Sequence, residues 1–118
     1  PQTSFPLTVG FLLAAHQGQL RLRQLHRDGS RVQAPVLLQT ARASLFLPWW
    51  TPLATRRDTV LDVRQVRRGI GVLSRTPRVI SYDGGLHDIH RSAPQVRERA
   101  FADLSGWLRE IAQRLPGG

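Results

Sequence analysis

Arg78-Val79-Ile80-Ser81-Tyr82, Asp83-Gly84-Gly85-Leu86, His87-Asp88 and the run from Ser92 to Leu115 decide how this chain is read. The first five residues form a short apolar strand after Pro77, and the glycine pair that follows permits a sharp turn. Beyond the turn, Val96, Ala100, Phe101, Leu104, Trp107, Leu108, Ile111 and Leu115 recur at helical spacing and mark the buried face of a long helix. Ser92 with Gln95 three residues on has the pattern of a capping box and is expected to open that helix, which Pro116-Gly117-Gly118 ends. A histidine on a loop between strand and helix is held away from the sheet edge toward whatever binds there. That is where a general base would sit.

Upstream, Asp62-Val63 through Val72 reads as a short helix with Val63, Val66 and Ile70 on one side and arginines on the other. Asp62 precedes its first turn, where a carboxylate can cap free amides. Val36-Leu37-Leu38 follows Pro35 and is continuously apolar, which suits a parallel strand covered by helices on both faces. Residues 40–57 hold two prolines and the pair Trp49-Trp50, a long loop of the kind that usually carries function. Within residues 7–27, Leu12, Leu13, His16, Leu20 and Leu25 suit one face of a helix, and Asp28-Gly29-Ser30 ends it with glycine at the left-handed cap position. The order is helix, strand, acidic turn, helix, strand, histidine turn, helix. Two strands joined through a helix should run parallel with a right-handed crossover, so both turns should project from the carboxyl ends of neighbouring strands. In open α/β sheets ligands bind at that edge.

Composition narrows the function classes. The net charge of +9 over 118 residues comes from arginine alone, because the chain has no lysine. The arginines are scattered singly or in pairs, as at Arg21, Arg23, Arg56, Arg57, Arg67 and Arg68, with no dense tract and no aromatic series for base stacking, so no nucleic-acid partner is expected. Cysteine is absent, which removes thiol nucleophiles, thiolate metal sites and disulfides. No apolar run approaches the roughly 18 to 20 residues needed to cross a bilayer. His87 and His90 lack a third ligand at suitable spacing, so neither a metal nor a cofactor is expected, and Gly69-Ile70-Gly71 at a helix end is no phosphate cradle. His90 is expected to face solvent, and His16 and His26 to take surface or satisfied packing positions on the first helix.

Three stretches together resemble a known family: Ala34-Pro35-Val36-Leu37-Leu38, Asp58-Thr59-Val60-Leu61-Asp62 and Gly84-Gly85-Leu86-His87-Asp88. From about Pro35 to Leu115 the chain is similar to the C-terminal end of an α/β-hydrolase, of the monoglyceride lipase and lysophospholipase-like branch that is sometimes grouped with the serine aminopeptidases. The resemblance implies that His87 matches the family's catalytic histidine, against the plainer reading of a helix-capping or packing residue. It implies Asp58 as the acid, with Asp62 as the alternative whose other use is the helix cap. Most relatives carry the acid a few residues beyond the strand, whereas here Thr40-Ala41-Arg42-Ala43-Ser44 offers no carboxylate. Trp49 and Trp50 are candidates for lining an acyl pocket, or else for covering the sheet.

No serine stands in a G-x-S-x-G elbow, the strained turn that presents the nucleophile in such enzymes. A doubly wound sheet normally needs more chain than this. Residues 1–118 are therefore expected to be the C-terminal portion of a single α/β-hydrolase domain, in helix-strand-helix-strand-helix order with parallel strands, without the portion that bears the nucleophile. The expected parent activity is hydrolysis of a carboxylic ester, lipid or small molecule, by a Ser-His-Asp acyl-enzyme route, and this chain alone should be inactive. Two other readings stand beside it: a basic module that binds nucleic acid or an anionic surface without catalysis, and a piece whose open strand edge pairs with another copy or chain. The compartment is left open, with the cytoplasm favoured.

Overall fold

Thr8 begins the described part of the chain, which covers residues 8–116 of the computed structural model. Its hydroxyl accepts the Phe11 N–H at 3.1 Å and so caps α1 (Val9–Arg27). At the other end Gly29 adopts φ +77°, Ser30 N–H donates to Leu25 O and Gly29 N–H to His26 O, the paired bonds of a Schellman cap. Position 7, where the helix was expected to open, and positions 117 and 118, the glycines expected to stop the last helix, lie outside the described residues. The apolar face expected of α1 exists in sequence but is not covered. None of its residues is buried, Leu25 is half-buried, and its principal neighbour is α2. Periodicity identifies a face that a helix could bury; it does not supply the surface to bury it against.

Two strands, β1 (Leu37–Ala41) and β2 (Arg78–Tyr82), pair in parallel, with Leu37 opposite Arg78 and Ala41 opposite Tyr82. The connection between them carries α2 (Val63–Leu73), which Asp62 caps by accepting the Arg64 N–H at 2.9 Å. After β2 come a short 3-10 helix (Ile89–Arg91), capped by Asp88 through His90 N–H, and then α3 (Pro94–Arg114). The chain is thus a small mixed α/β structure whose described sheet has two parallel strands.

The start of α3 corrects the expectation of a capping box. Ala93 is the N-cap, no side chain caps the helix, and Pro94 occupies the first turn. Proline's fixed φ is already helical and its missing N–H costs nothing there, so it sets the start of the helix. Ser92 is left outside, buried, and its Oγ accepts the Leu86 N–H at 2.9 Å. The hydroxyl braces the histidine turn instead of the helix.

The core is Ala41, Val63, Tyr82, Ile89 and Ala100, with Ile80 and Val96 packed on it. Thr40, Ala41 and Tyr82 at the carboxyl ends of the strands are buried, whereas Leu37 and Leu38 are half-buried and Val79 is exposed. Cover on both faces, expected from the apolar run, is therefore incomplete at the amino ends. On α3 the expected face divides: Ala100 is buried, Val96, Leu104, Trp107 and Ile111 are half-buried, and Phe101, Leu108 and Leu115 are exposed. Packing is concentrated where the strands finish. Among the described residues no helix is long and apolar enough to cross a membrane.

Candidate active site

The carboxylate is delivered by a detour. After β1, Asp58 N–H donates to Ala43 O at 3.0 Å and Leu45 N–H donates to Asp58 O at 2.8 Å, so Ser44 and Asp58 form an isolated parallel bridge. Residues 45–57, with both loop tryptophans and a 3-10 helix (Pro52–Arg56), leave the end of β1 and return to it. Ser44 fastens the return, its hydroxyl donating to Leu61 O at 2.8 Å and accepting the Val63 N–H at 2.9 Å. An acid remote from the strand in sequence sits at the strand's end.

Asp58 is 3% exposed. One oxygen, Oδ1, accepts the Val60 and Leu61 amides, both at 2.8 Å, and Oδ2 lies 3.1 Å from His87 Nδ1. Burial alone would raise the carboxyl pKa, but the Leu61 and Val60 amides and the His87 ring together outweigh it and hold the group below its ordinary value. Asp58 is thus kept ionised in a largely dry place.

The histidine is positioned by two glycines with different tasks. Gly84 takes φ +76°, a conformation that side chains disfavour. Gly85 passes against the end of β1, where a Cβ would stand 2.9 Å from Ile89 Cδ1, 3.1 Å from Tyr82 O and 3.3 Å from Ala41 Cα. The turn can therefore fold tightly over the sheet edge only without a side chain at position 85. His87 follows with its side chain 45% exposed. An ionised carboxylate can only accept, so the hydrogen bond assigns the ring proton to Nδ1. Nε2, the other ring nitrogen, has no hydrogen-bond partner among the described residues.

The remaining candidates separate clearly. Asp62 spends its carboxylate on the α2 cap, and the hydrogen bond of His87 Nδ1 goes to Asp58 instead. Trp49 and Trp50 are 65% and 73% exposed, so neither ring is enclosed in a pocket. His16 and His26 are exposed on α1.

His90 is not the solvent-facing neighbour expected. It is half-buried, its ring 4.5 Å from that of Phe101, and Nε2 lies 3.1 Å from Gln39 Oε1. Gln39 Nε2 donates to Tyr82 Oη and Ala100 O, each at 2.8 Å, and the Tyr82 hydroxyl donates to Asp103 at 2.8 Å. A polar chain thus runs through the core from β1 to α3. Burial, then the neighbouring Asp103, pushes the Tyr82 phenol up to about 12. Sequence pattern alone assigns no such role to Gln39, Tyr82, Asp103 or Ser44, and it gives Ser92 to the helix instead of the turn. A glutamine inside an otherwise apolar strand is the signal that could have found the first of them.

Among the described residues no group of three or more His, Asp or Glu side chains is arranged to hold a metal ion. No protein-family model, curated protein or solved structure matches the chain.

Proposed function

We propose that this chain carries the acid and histidine of a serine ester hydrolase of the α/β-hydrolase type, with His87 as general base and acid and Asp58 as its orienting carboxylate. The observation that supports this most directly is the 3.1 Å contact between His87 Nδ1 and Asp58 Oδ2, which leaves Nε2 open. A serine hydroxyl is too weak an acid to attack an ester unaided. Brought within about 3 Å of Nε2, it can pass its proton to the imidazole as its oxygen bonds to the carbonyl carbon. The imidazolium so formed is stabilised by the buried carboxylate, and it later gives its proton to the departing alkoxide. Water then repeats the sequence on the acyl-enzyme.

The sequence holds no G-x-S-x-G, so the serine and the oxyanion donors would come from a segment outside these residues. The substrate class is a carboxylic ester of a lipid or related small molecule. As it stands, the 118-residue chain should hydrolyse a p-nitrophenyl ester only at background rate, unchanged by His87→Ala. A longer polypeptide that includes the preceding coding sequence should be labelled at a serine by a fluorophosphonate. His87→Ala should slow its esterase activity by roughly 10³-fold or more. Labelling or turnover in that polypeptide indifferent to His87 would overturn the proposal, as would His87-dependent turnover by the short chain.

A further inference from the structure

Both loops that form the acid–histidine pair also border a cleft that the pair does not fill. Arg56, which ends the 3-10 helix two residues before Asp58, lies over the histidine turn: a Cβ at Gly84 would be 3.8 Å from its Nε. Gly84 and Arg56 line a cleft of about 830 Å³ together with Thr55, Asp83, Val96 and Arg99. Ligand sites in proteins commonly span about 300 to 1,000 Å³, so the space suits a small organic molecule.

The charge of its wall is unbalanced, with two guanidinium groups against the single carboxylate of Asp83. Three arginines elsewhere are engaged, Arg78 with Glu110, Arg67 with Arg42 O and Val63 O, and Arg31 with His26 O and Ser30 O, whereas most of the others make no side-chain hydrogen bond among the described residues. Among the described residues neither Arg56 nor Arg99 makes a side-chain hydrogen bond or ion pair. A guanidinium presents a planar fork that matches the two oxygens of a carboxylate or phosphate, and concave walls focus such a field.

We propose that this cleft binds an oxyanion, carboxylate or phosphate, carried by the ester on which His87 acts, with Arg56 and Arg99 as its ligands. The link to an ester rests on the hydrolase reading above; the binding of an oxyanion does not. Nitrogen-15 NMR of the 118-residue chain, titrated with benzoate and separately with phenyl phosphate, tests it. Saturable shifts should appear at the Gly84 amide and at the Arg56 and Arg99 Nε–H groups. The tighter of the two probes identifies which oxyanion is preferred.

The double variant Arg56→Gln, Arg99→Gln should weaken binding at least fivefold, while Arg109→Gln, at an exposed position of α3 outside the cleft, should leave it unchanged. Should the double variant lose its dispersed spectrum, Arg99→Gln alone, at an exposed position of α3, carries the same comparison. Equal shifts with neutral benzyl alcohol, shifts spread evenly over all the arginines, or wild-type affinity in the variants would overturn the proposal. Loss of the hydrolase reading would show instead as a longer polypeptide whose serine labelling ignores His87, with arginine-dependent anion binding intact.

Discussion

Asp58→Ala removes one acceptor from three donors at once: the Val60 amide, the Leu61 amide and His87 Nδ1. A hydrogen bond to a charged group contributes on the order of 1.5–3 kcal/mol. Three of them do not simply add, because Val60 and Leu61 belong to exposed residues whose amides water can reach once the carboxylate is gone. The exposed histidine also regains water. A loss of about 2–4 kcal/mol is expected, a sizeable part of the roughly 5–15 kcal/mol that holds a domain together. Asp62→Ala removes an N-cap only and should cost about 1 kcal/mol.

The pH dependence of the same group gives a second reading. The folded carboxyl pKa lies below its ordinary value of 3.8, so the stability it contributes is full above that value and is lost as pH falls through the folded one. The difference between wild type and Asp58→Ala should therefore shrink below about pH 4. Urea unfolding followed by far-ultraviolet circular dichroism, at pH 7 and in steps down to pH 3, measures both quantities. If Asp58→Ala costs no more than Asp62→Ala at pH 7, or if the difference persists undiminished in acid, the account of how the acid is held is wrong.

Gly85→Ala places a methyl group 3.1 Å from Tyr82 O and 3.3 Å from Ala41 Cα, backbone atoms that yield less readily than the Ile89 methyl. It should cost about 1–3 kcal/mol and weaken the His87–Asp58 contact, seen as a change in the His87 ring nitrogen shifts. Tyr82 is buried with its phenol pushed up to about 12, so the stability it gives is full below about pH 10 and is lost as pH rises toward 12. Tyr82→Phe should abolish that alkaline decline; a decline that survives the substitution would belong to another group. Ser92→Ala frees the Leu86 N–H of its partner and should cost about 1–2 kcal/mol, with faster amide exchange at Leu86 than at Ala100 as the local signature.

The parts of the fold that local chemistry dictates could be read from the sequence. The bounds of β2, the caps at Asp62 and Gly29, and the long helix after the histidine turn all depend on residues within a few positions of one another. Ser92 deceived because two signals competed and Pro94 won: a fixed φ dictates where a helix starts, whereas a hydroxyl accepts whichever amide comes within reach. Local sequence puts His90 at the surface, because its partner Gln39 lies on β1, 51 residues away. The exposed face of α1 shows the same boundary from the other side. Its pattern was visible and its surroundings were not.

The choice between Asp58 and Asp62 turns on the loop that separates the acid from its strand. Closing a loop costs entropy that rises only with the logarithm of its length, by about 0.6 kcal/mol for each doubling. A long excursion over residues 45–57 is thus scarcely harder to close than a short turn, provided that something pins its ends. The pinning is done by the Ser44–Asp58 bridge and by the two hydrogen bonds of the Ser44 hydroxyl. Asp62, already committed to the Arg64 amide of α2, would have to give up its cap to reach the histidine. Measured along the sequence, Asp58 lies far beyond the end of β1, while the path of the chain brings it back beside Ser44. The relevant distance for a carboxylate that must meet an imidazole is from the bridge, and from Ser44 to Asp58 that distance is a single strand spacing, about 4.8 Å.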